Sequence, residues 1–282
     1  MSDIVVGKDQ AAQLFDVRGA RTLVTGAGSG LGLAMAEVMA ANGARVMLSD
    51  IDAERLKEAA ATFAERGADV ATCVADVSVA ADVDHLVART RAEFGGIDVV
   101  FANAGINAGR NLGYPDGAIE SFPMDAWSKV MEIDLGGVFN TLRCCAPVMK
   151  EQRSGSIIVT ASTAGLRAEP LVGYAYVAAK AAVVNLVKQA ALELCQYGVR
   201  VNAIAPGSFA TNIGAGKKQS SAYGEVWLTT IPMGRRGEPD EIKGISLLLA
   251  SQASSFVTGS VWTIDGGSTA LSQGGVPHYP DV

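Results

Sequence analysis

Short apolar runs alternate along the chain with longer segments in which apolar residues recur at helical spacing. This alternation predicts strands and helices in turn. The predicted strands are Arg21–Thr25, Arg45–Ser49, Asp69–Ala75, Asp98–Ala102, Ser156–Ala161, Val199–Ala205 and Ser260–Ile264. The predicted helices are Leu31–Ala41, Ala53–Arg66, Val79–Phe94, Met124–Lys150, Tyr174–Tyr197 and Asp240–Ala250.

Several of the predicted strands are apolar on both faces, as the run Ile157–Val159 illustrates. A strand of that kind belongs to a parallel sheet that helices cover on both sides. The chain is therefore predicted to form an α/β fold with a single doubly wound, Rossmann-type parallel sheet of about seven strands. No linker-like run divides it, so we expect one domain over residues 17–271, an N-terminal arm (1–16) and a C-terminal tail (272–282).

Composition narrows the classes of function. The chain has 282 residues, 49% of them hydrophobic, and a net charge of −6 without a cluster of Lys or Arg, which argues against a nucleic-acid partner. The two histidines and four cysteines show no metal-ligand or paired spacing, so we expect no metal and free thiols. The N-terminal sequence lacks the features of a signal peptide, and no segment predicts a membrane span. We therefore expect a cytoplasmic protein without a membrane partner.

A glycine-rich turn, Thr25-Gly26-Ala27-Gly28-Ser29-Gly30-Leu31-Gly32, joins the first predicted strand to the first helix. Backbone N–H groups in such a turn, together with a helix N-terminus, can cradle a phosphate. Asp50 ends the second strand, where it is either a solvated acid or the acceptor for an adenosine ribose diol. Asp50 would repel a 2′-phosphate, and no Arg or Lys lies in the loop or directly beside Asp50. The sequence therefore predicts NAD as the cofactor in preference to NADP.

Tyr176 and Lys180 occupy positions i and i+4 of a predicted helix and so share one face. An ammonium group close to a phenol favours the phenolate, which can take the proton of an alcohol, although many helices contain this spacing as an ordinary surface pair. Tyr174 lies on another face and is expected to be a wall residue. Ser162 and Asn103 follow predicted strands, and the carboxyl ends of parallel strands are where such sheets bind ligands.

From about Val17 to Gly267 the chain resembles the short-chain dehydrogenase/reductase family. The resemblance is carried by the Thr25–Gly32 loop, Asp76-Val77, Asn103-Ala104-Gly105, Ser162, Tyr176 with Lys180, Asn202 through Gly207, Thr211 and Asp265-Gly266-Gly267. It implies hydride transfer between NAD and a secondary alcohol or ketone. It also implies that Ser162 holds the substrate oxygen, Tyr176 exchanges the proton, and Lys180 binds the nicotinamide ribose while favouring the tyrosinate.

The same resemblance implies where the cofactor binds. Asp76 and Val77 would flank the adenine, and Thr211 would bond the carboxamide. The full set of cofactor-binding residues that it implies is Gly26, Gly28, Ser29, Gly30, Leu31, Gly32, Asp50, Ile51, Asp76, Val77, Asn103, Ala104, Gly105, Tyr176, Lys180, Pro206, Gly207, Phe209 and Thr211.

Asp134 departs from the family pattern, which usually has asparagine at this position to help hold a water next to the catalytic lysine. We include Asp134 among the catalytic residues because its charge would keep Lys180 protonated while opposing the tyrosinate of Tyr176. The expected result is a proton relay that works at higher pH. The alternative is a tolerated substitution without effect on the pH profile.

Three segments are expected to surround the substrate: residues 106–123, 166–173 and a lid at about 209–232. Their apolar side chains favour a medium-sized, partly apolar alcohol or ketone over a small sugar. Basic residues in these segments either are solvated or receive a substrate carboxylate: Arg110, Arg167, Lys217 and Lys218.

The helices Met124–Lys150 and Tyr174–Tyr197 carry more apolar surface than one sheet-facing stripe needs, which favours a homo-oligomer, a dimer or a homotetramer. We expect Trp127, Phe139 and Met149 to face the core.

Two alternatives to the NAD-linked enzyme stay open. One is an NADP-linked reductase of a 3-oxoacyl carrier or of a sugar or polyol, and the other is a cofactor-binding relative that has lost activity.

Overall fold

The computed structural model of the protein describes residues 10–211 and 228–271. Seven parallel strands form one sheet in the order β3-β2-β1-β4-β5-β6-β7. The strands are β1 (Arg21–Thr25), β2 (Arg45–Asp50), β3 (Val70–Val74), β4 (Val99–Ala102), β5 (Gly155–Thr160), β6 (Val199–Pro206) and β7 (Val261–Ile264). The helices are α1 (Gln10–Leu14), α2 (Gly30–Ala41), α3 (Ala53–Glu65), α4 (Ala80–Phe94), α5 (Met124–Val130), α6 (Val138–Gln152), α7 (Tyr174–Leu194) and α8 (Lys243–Ala250).

The prediction of a doubly wound α/β sheet is confirmed, and all seven predicted strands form within one or two residues of their expected ends. The strand order reverses between β1 and β4, and the crevice at such a reversal is where open α/β sheets bind ligands. None of the helices in the two described ranges is both long and apolar enough to cross a bilayer. Residues 1–9 of the predicted arm, 212–227 of the predicted lid and the tail 272–282 lie outside the described residues.

Two hydrophobic cores lie on opposite faces of the sheet, because successive strand residues point to opposite sides. The first core packs the sheet against α4, α6 and α7, and the second core packs it against α2, α3 and α8. Strand residues enter the cores alternately: Leu23, Met47, Val100 and Ile157 enter the first, and Val24, Leu48, Phe101 and Ile158 enter the second.

The predicted helix Met124–Lys150 is wrong as a continuous α-helix. It is α5, a π-helix from Met131 to Gly137, and α6. Two features favour the wider turn. The Gly136-Gly137 pair has low helix propensity, and Gly137 packs so closely on Val77 that an added Cβ would lie 2.5 Å from a methyl of Val77. The prediction that Phe139 faces the core is also wrong, since this side chain in the first turn of α6 is 52% exposed.

Phe101, in β4, is fully buried, so Phe101→Ala is expected to lower the free energy of unfolding by about 3–5 kcal/mol through lost burial and a residual cavity. Chemical denaturation monitored by circular dichroism measures this change. Phe256 is fully exposed and provides the matched control, because Phe256→Ala should stay within about 0.5 kcal/mol of the unchanged protein. Equal losses in the two variants would contradict the assignment of the second core.

Candidate active site

The glycine loop between β1 and α2 is a tight backbone cradle. Gly26 has a φ of +67°, a conformation that favours glycine. A side chain at Gly32 would overlap the carbonyl oxygen of Gly26, so the start of α2 can lie against the loop only without a Cβ there. Ser29 precedes the first turn of α2 without a side-chain cap. The loop and the helix N-terminus therefore fit a phosphate-bearing cofactor.

Asp50 holds the neighbouring backbone at the end of β2. Its Oδ2 accepts a hydrogen bond from the Gly28 N–H at 2.9 Å, and its Oδ1 accepts one from Asp52 N–H at 3.0 Å. Ile51, the next residue, is 65% exposed. The carboxylate thus lies against the glycine loop, where the adenosine end of a dinucleotide is expected.

Arg55 lies beside the same loop in the fold, although it is not adjacent to the loop or to Asp50 in the sequence. Asp52 caps α3 by accepting hydrogen bonds from Glu54 N–H and Arg55 N–H, both at 3.1 Å, and this cap brings Arg55 to the first turn. The Arg55 Cβ would lie 3.1 Å from a Cβ added at Gly28. Its half-exposed guanidinium pairs with Asp52 at 3.3 Å. No Arg or Lys lies within the glycine loop or directly beside Asp50 in the sequence, but the fold brings Arg55 close to the loop. The helix cap at Asp52 was the signal that could have shown this proximity.

Asn103 joins the carboxyl ends of β1, β4 and β5. Its Nδ2 donates to the carbonyl oxygen of Thr25 at 3.1 Å, and its Oδ1 accepts a hydrogen bond from the Thr160 hydroxyl at 3.0 Å. The Thr25 hydroxyl accepts hydrogen bonds from the backbone N–H groups of Asn103 and Ala104, at 3.0 and 3.2 Å. This network fixes the floor of the cleft, with Gly105 directly beyond it.

Asp76 and Val77 follow β3 at the predicted adenine side. The Asp76 carboxylate accepts hydrogen bonds from the N–H and the hydroxyl of Ser78, at 2.9 and 2.6 Å. Val77 is buried against Gly137, and its carbonyl oxygen accepts from Asn140 at 3.0 Å. Both residues therefore hold the segment between β3 and α4 against the start of α6.

Ser162, Tyr176 and Lys180 lie near the carboxyl end of β5. Ser162 is buried, and its Oγ accepts a hydrogen bond from Ala164 N–H at 3.1 Å. Lys180 is 3% exposed, lies with its Nζ 5.5 Å from the ring centroid of Tyr176, and donates to the Thr160 carbonyl at 3.0 Å. The i, i+4 spacing of α7 thus brings the tyrosine and the lysine together.

Tyr174 has different surroundings from Tyr176. Its ring packs edge to face on Phe122 with centroids 6.0 Å apart. Tyr176 instead packs partly on a small cluster formed by Val130, Ala175 and Ala179. Tyr174 therefore lies against the 106–123 segment, as expected of a wall residue.

Asp134, in the π-helix, lies fully buried against Lys180. Its Oδ1 accepts a hydrogen bond from Ile106 N–H at 2.8 Å, and its Oδ2 lies 3.2 Å from the Lys180 Nζ. Charge attraction rather than an aligned hydrogen bond makes the second contact, since Oδ2 has no hydrogen-bond partner among the described atoms. Burial lowers the pKa of Lys180, but Asp134 and Tyr176 raise it more, so this pKa lies above its ordinary value.

The end of β6 closes the cleft over the glycine loop. Gly207, after Pro206, lies so close to Asp265 that an added Cβ would approach the Asp265 Cβ to 2.7 Å. The methyl of Thr211 would lie 3.5 Å from a Cβ added at Gly30. Phe209 is buried in the second core against Gly237, so its ring supports this segment from the core, and its predicted contact with the cofactor stays a prediction.

Two of the basic residues expected near the substrate make contacts within the protein. Arg110 pairs with Asp116 at 3.1 Å and lies over the Tyr114 ring. Arg167 donates to the Ser268 hydroxyl at 2.8 Å and faces the buried Glu169 at 3.4 Å, so the expectation of a solvated cation is wrong for Arg167. The remaining two, Lys217 and Lys218, fall in the part of the chain that is not described.

Acidic, cysteine and histidine side chains do not converge in groups of three that could hold a metal ion anywhere in residues 10–211 or 228–271. The charged groups at the centre of the cleft are the Lys180 ammonium and the Asp134 carboxylate. This arrangement, beside a phenol and a phosphate cradle, is suited to proton transfer next to a bound dinucleotide.

Comparisons with known proteins identify the family to which this sequence and fold belong. A protein-family model described as Enoyl-(Acyl carrier protein) reductase matches residues 26–269. Levodione reductase from Leifsonia aquatica is 39% identical over 258 residues, which cover 88% of this chain and 93% of the relative. Among solved structures, a short-chain type dehydrogenase/reductase from Mycobacterium marinum is 34% identical with a TM-score of 0.86, over 93% of this chain and 100% of that one.

A second solved structure is a gluconate 5-dehydrogenase from Burkholderia cenocepacia in complex with NADP and tartrate. It is 33% identical with a TM-score of 0.85, over 93% of this chain and 100% of that one. The match of the family model and the extent of these similarities cover nearly the whole described sheet. The chain therefore belongs to the short-chain dehydrogenase/reductase family of oxidoreductases.

Proposed function

We propose that this oxidoreductase uses NAD to interconvert a secondary alcohol and a ketone. The observation that carries the proposal is the buried Lys180 ammonium next to the Tyr176 phenol, at the sheet edge that also carries the glycine loop. An ammonium near a phenol favours the charged form that can accept a proton. The alternative of a relative without activity is disfavoured because Ser162, Tyr176 and Lys180 are all present near the end of β5.

The residues around the glycine loop would hold NAD. Backbone N–H groups at Ser29, Gly30 and Leu31 would receive the diphosphate, and Asp50 would accept hydrogen bonds from the ribose diol. The backbone contacts of Asp50 already aim its carboxylate at the loop, which favours a neutral diol there. NAD supplies the hydride chemistry at its nicotinamide ring, and the protein supplies position and proton transfer.

In the oxidation direction, we infer that Tyr176 accepts the proton of the substrate hydroxyl at its phenolate oxygen. The Ser162 Oγ accepts a hydrogen bond from Ala164 N–H, so its own O–H can donate to the substrate oxygen and orient it. Lys180 stabilises the phenolate by charge, and the Thr160 carbonyl fixes the ammonium. In the reduction direction, the same phenol returns the proton.

NADP is the competing cofactor, and one contact favours it. Arg55 lies beside Gly28 and is exposed enough to turn towards a 2′-phosphate, and one similar solved structure contains NADP. The Asp50 carboxylate opposes that phosphate by charge, and it is held at the glycine loop by its hydrogen bond from Gly28 N–H. The Arg55 guanidinium, in turn, is already paired with Asp52. We therefore retain NAD, with an NADP-linked reductase of an oxoacyl carrier, sugar or polyol as the alternative.

The proposed substrate is a medium-sized, partly apolar alcohol or ketone. The 106–123 and 166–173 segments are tied together, since Asn111 donates to the Leu171 carbonyl at 3.3 Å. Exposed apolar side chains lie on both segments: Leu112, Ile119 and Leu166. Contact with apolar substrate carbons would remove such surface from water, which favours a partly apolar ligand.

The cytoplasmic location of the protein remains a prediction from the sequence.

Activity with NAD is expected to exceed that with NADP by at least about tenfold, which corresponds to about 1.4 kcal/mol in the barrier, because Asp50 repels a 2′-phosphate. A panel of secondary alcohols and ketones assayed with both cofactors measures the ratio. Asp50→Ala should reduce the ratio of NAD activity to NADP activity. Asp50→Asn removes the charge but keeps the shape of the side chain, so it separates the effect of charge from the effect of lost contacts with the loop.

The double variant Asp50→Ala with Arg55→Ala should regain part of the preference for NAD, because it also lacks the cation that could hold a 2′-phosphate. Equal or better kinetics of the unchanged protein with NADP would contradict NAD specificity.

Tyr176→Phe removes the transferable proton but keeps the ring, so turnover is expected to fall by about 10²–10⁴. Cofactor affinity, measured by fluorescence titration, should change little. Tyr174→Phe is the matched control because it removes the same hydroxyl one half-turn away, where the ring packs on Phe122, and its effect should be mild. A large loss of turnover in Tyr174→Phe together with a mild effect of Tyr176→Phe would show that Tyr176 is not the proton-transfer residue.

The proposed homo-oligomer would cover apolar surface on α6 and α7, where Phe139 is 52% and Leu192 is 74% exposed. Light scattering at micromolar concentration should therefore report a particle of two or four chains, not one of 29.1 kDa. Phe139→Asp should reduce the particle mass, whereas Phe256→Asp, a change of the same kind at an exposed site outside these helices, should not. A 29.1 kDa particle from the unchanged protein would reject the oligomer.

A further inference from the structure

The ion pair of Asp134 and Lys180 lies next to the proposed base. Both side chains are almost completely removed from solvent, at 0% and 3% exposure, and the Oδ2 to Nζ distance is 3.2 Å. We propose that Asp134 is a positioning residue that acts on Tyr176 through Lys180 and confines proton transfer to more alkaline pH. This inference rests on the proposed function of Tyr176 and Lys180 and deepens it.

The position of the Asp134 carboxylate is fixed from two sides. The Ile106 N–H donates to Oδ1 at 2.8 Å, and a Cβ added at Gly105 would lie only 3.2 Å from Oδ2. Asp134 belongs to the π-helix, whose flanking residues Val130 and Val138 are both buried. The carboxylate therefore cannot turn to solvent without breaking a backbone hydrogen bond, and its charge stays directed at Lys180.

The Lys180 ammonium needs a partner of opposite charge, because a buried, unpaired ammonium is costly and tends to lose its proton. Its Nζ contacts the Thr160 carbonyl of β5 and the Asp134 carboxylate of the π-helix, and Tyr176 faces it from the previous turn of α7. From the segment after β4, neutral Gly105 and the Ile106 N–H face the pair. Among the described residues, the titratable groups that raise the pKa of Lys180 are therefore Asp134 and Tyr176.

Asp134 has opposite effects on its two neighbours. Its negative charge holds the proton on Lys180, which preserves the ammonium at alkaline pH. The same charge opposes formation of a second negative charge on Tyr176 and cancels part of the stabilisation that the ammonium provides. Because the three groups lie in contact, a pH profile of turnover is expected to reflect all of them and not Tyr176 alone.

Asp134→Asn keeps the shape and the oxygen that accepts from Ile106 but removes the charge. Two shifts are expected in the oxidation direction. The rising limb of kcat against pH should move to lower pH by about one unit, because the charge that opposes the Tyr176 phenolate is gone. The falling limb at alkaline pH should also begin at a lower pH than in the unchanged protein, because Lys180 has lost its counter-charge and gives up its proton more easily. Asp134→Ser provides a second neutral variant if the asparagine variant does not fold.

Glu132→Gln is the matched control, since Glu132 is an exposed acid in the same π-helix and its removal changes the net charge equally. Its pH profile should coincide with that of the unchanged protein. A readout that needs no substrate is the ultraviolet absorbance of the Tyr176 phenolate, obtained by subtracting the spectrum of Tyr176→Phe in the same background. The phenolate should form at lower pH in Asp134→Asn than in the unchanged protein.

A rising limb or phenolate titration that stays in place, or that moves to higher pH, in a folded neutral variant would overturn the inference. An equal shift in Glu132→Gln would do so as well, because it would trace the effect to net charge. If no alcohol or ketone is turned over by any form, the proposed function fails, while the phenolate titration still decides whether Asp134 acts on Tyr176.

Discussion

The hydrogen bonds of Asn103 hold together the sheet edge on which the site depends. They join β1 and β5 through β4, so the glycine loop that follows Thr25 and the Thr160 carbonyl that fixes Lys180 share one anchor. A parallel sheet leaves the carboxyl ends of its strands free to diverge at a reversal of strand order. Here the Asn103 amide links the end of β1 to the end of β5, and the Thr25 hydroxyl adds contacts to the backbone N–H groups of Asn103 and Ala104.

Charge at this edge is distributed in two separate places. Asp50 accepts hydrogen bonds from the N–H groups of Gly28 and Asp52 beside the glycine loop, whereas Asp134 pairs with Lys180 near the carboxyl end of β5. The first carboxylate is partly exposed and is available to a ligand, and the second is buried and interacts only with protein groups among the described residues. The same side chain is thus partly open to a ligand in one place and paired with a buried ammonium in the other, and the proposed roles of the two carboxylates follow this difference in burial.

The sequence allowed prediction of those features that depend on local pattern. The strands follow from apolar runs, as Ile157 and Ile158 show by complete burial, and the Tyr176–Lys180 contact follows from helical spacing. Features that depend on packing between distant segments could not be predicted this way. Arg55 reaches the glycine loop only through the cap of α3, and Arg167 is bound by Ser268 from the segment after β7. The π-helix was missed because apolar periodicity is nearly the same for an α-helix with one wide turn.

The π-helix also restricts how this part of the chain can change in length. A π-turn accommodates more residues than an α-turn, and each residue of an α-helix advances the chain by about 100° around the axis. Val130 before the π-helix and Val138 after it are both buried, so neither flank is free to rotate. Removing one residue from Met131–Gly137 would restore α-helical hydrogen bonding but would turn either Val130 out of its small cluster or Val138 out of the first core. The segment is therefore open to exchange of its side chains, while its number of residues is fixed by the packing at its two ends.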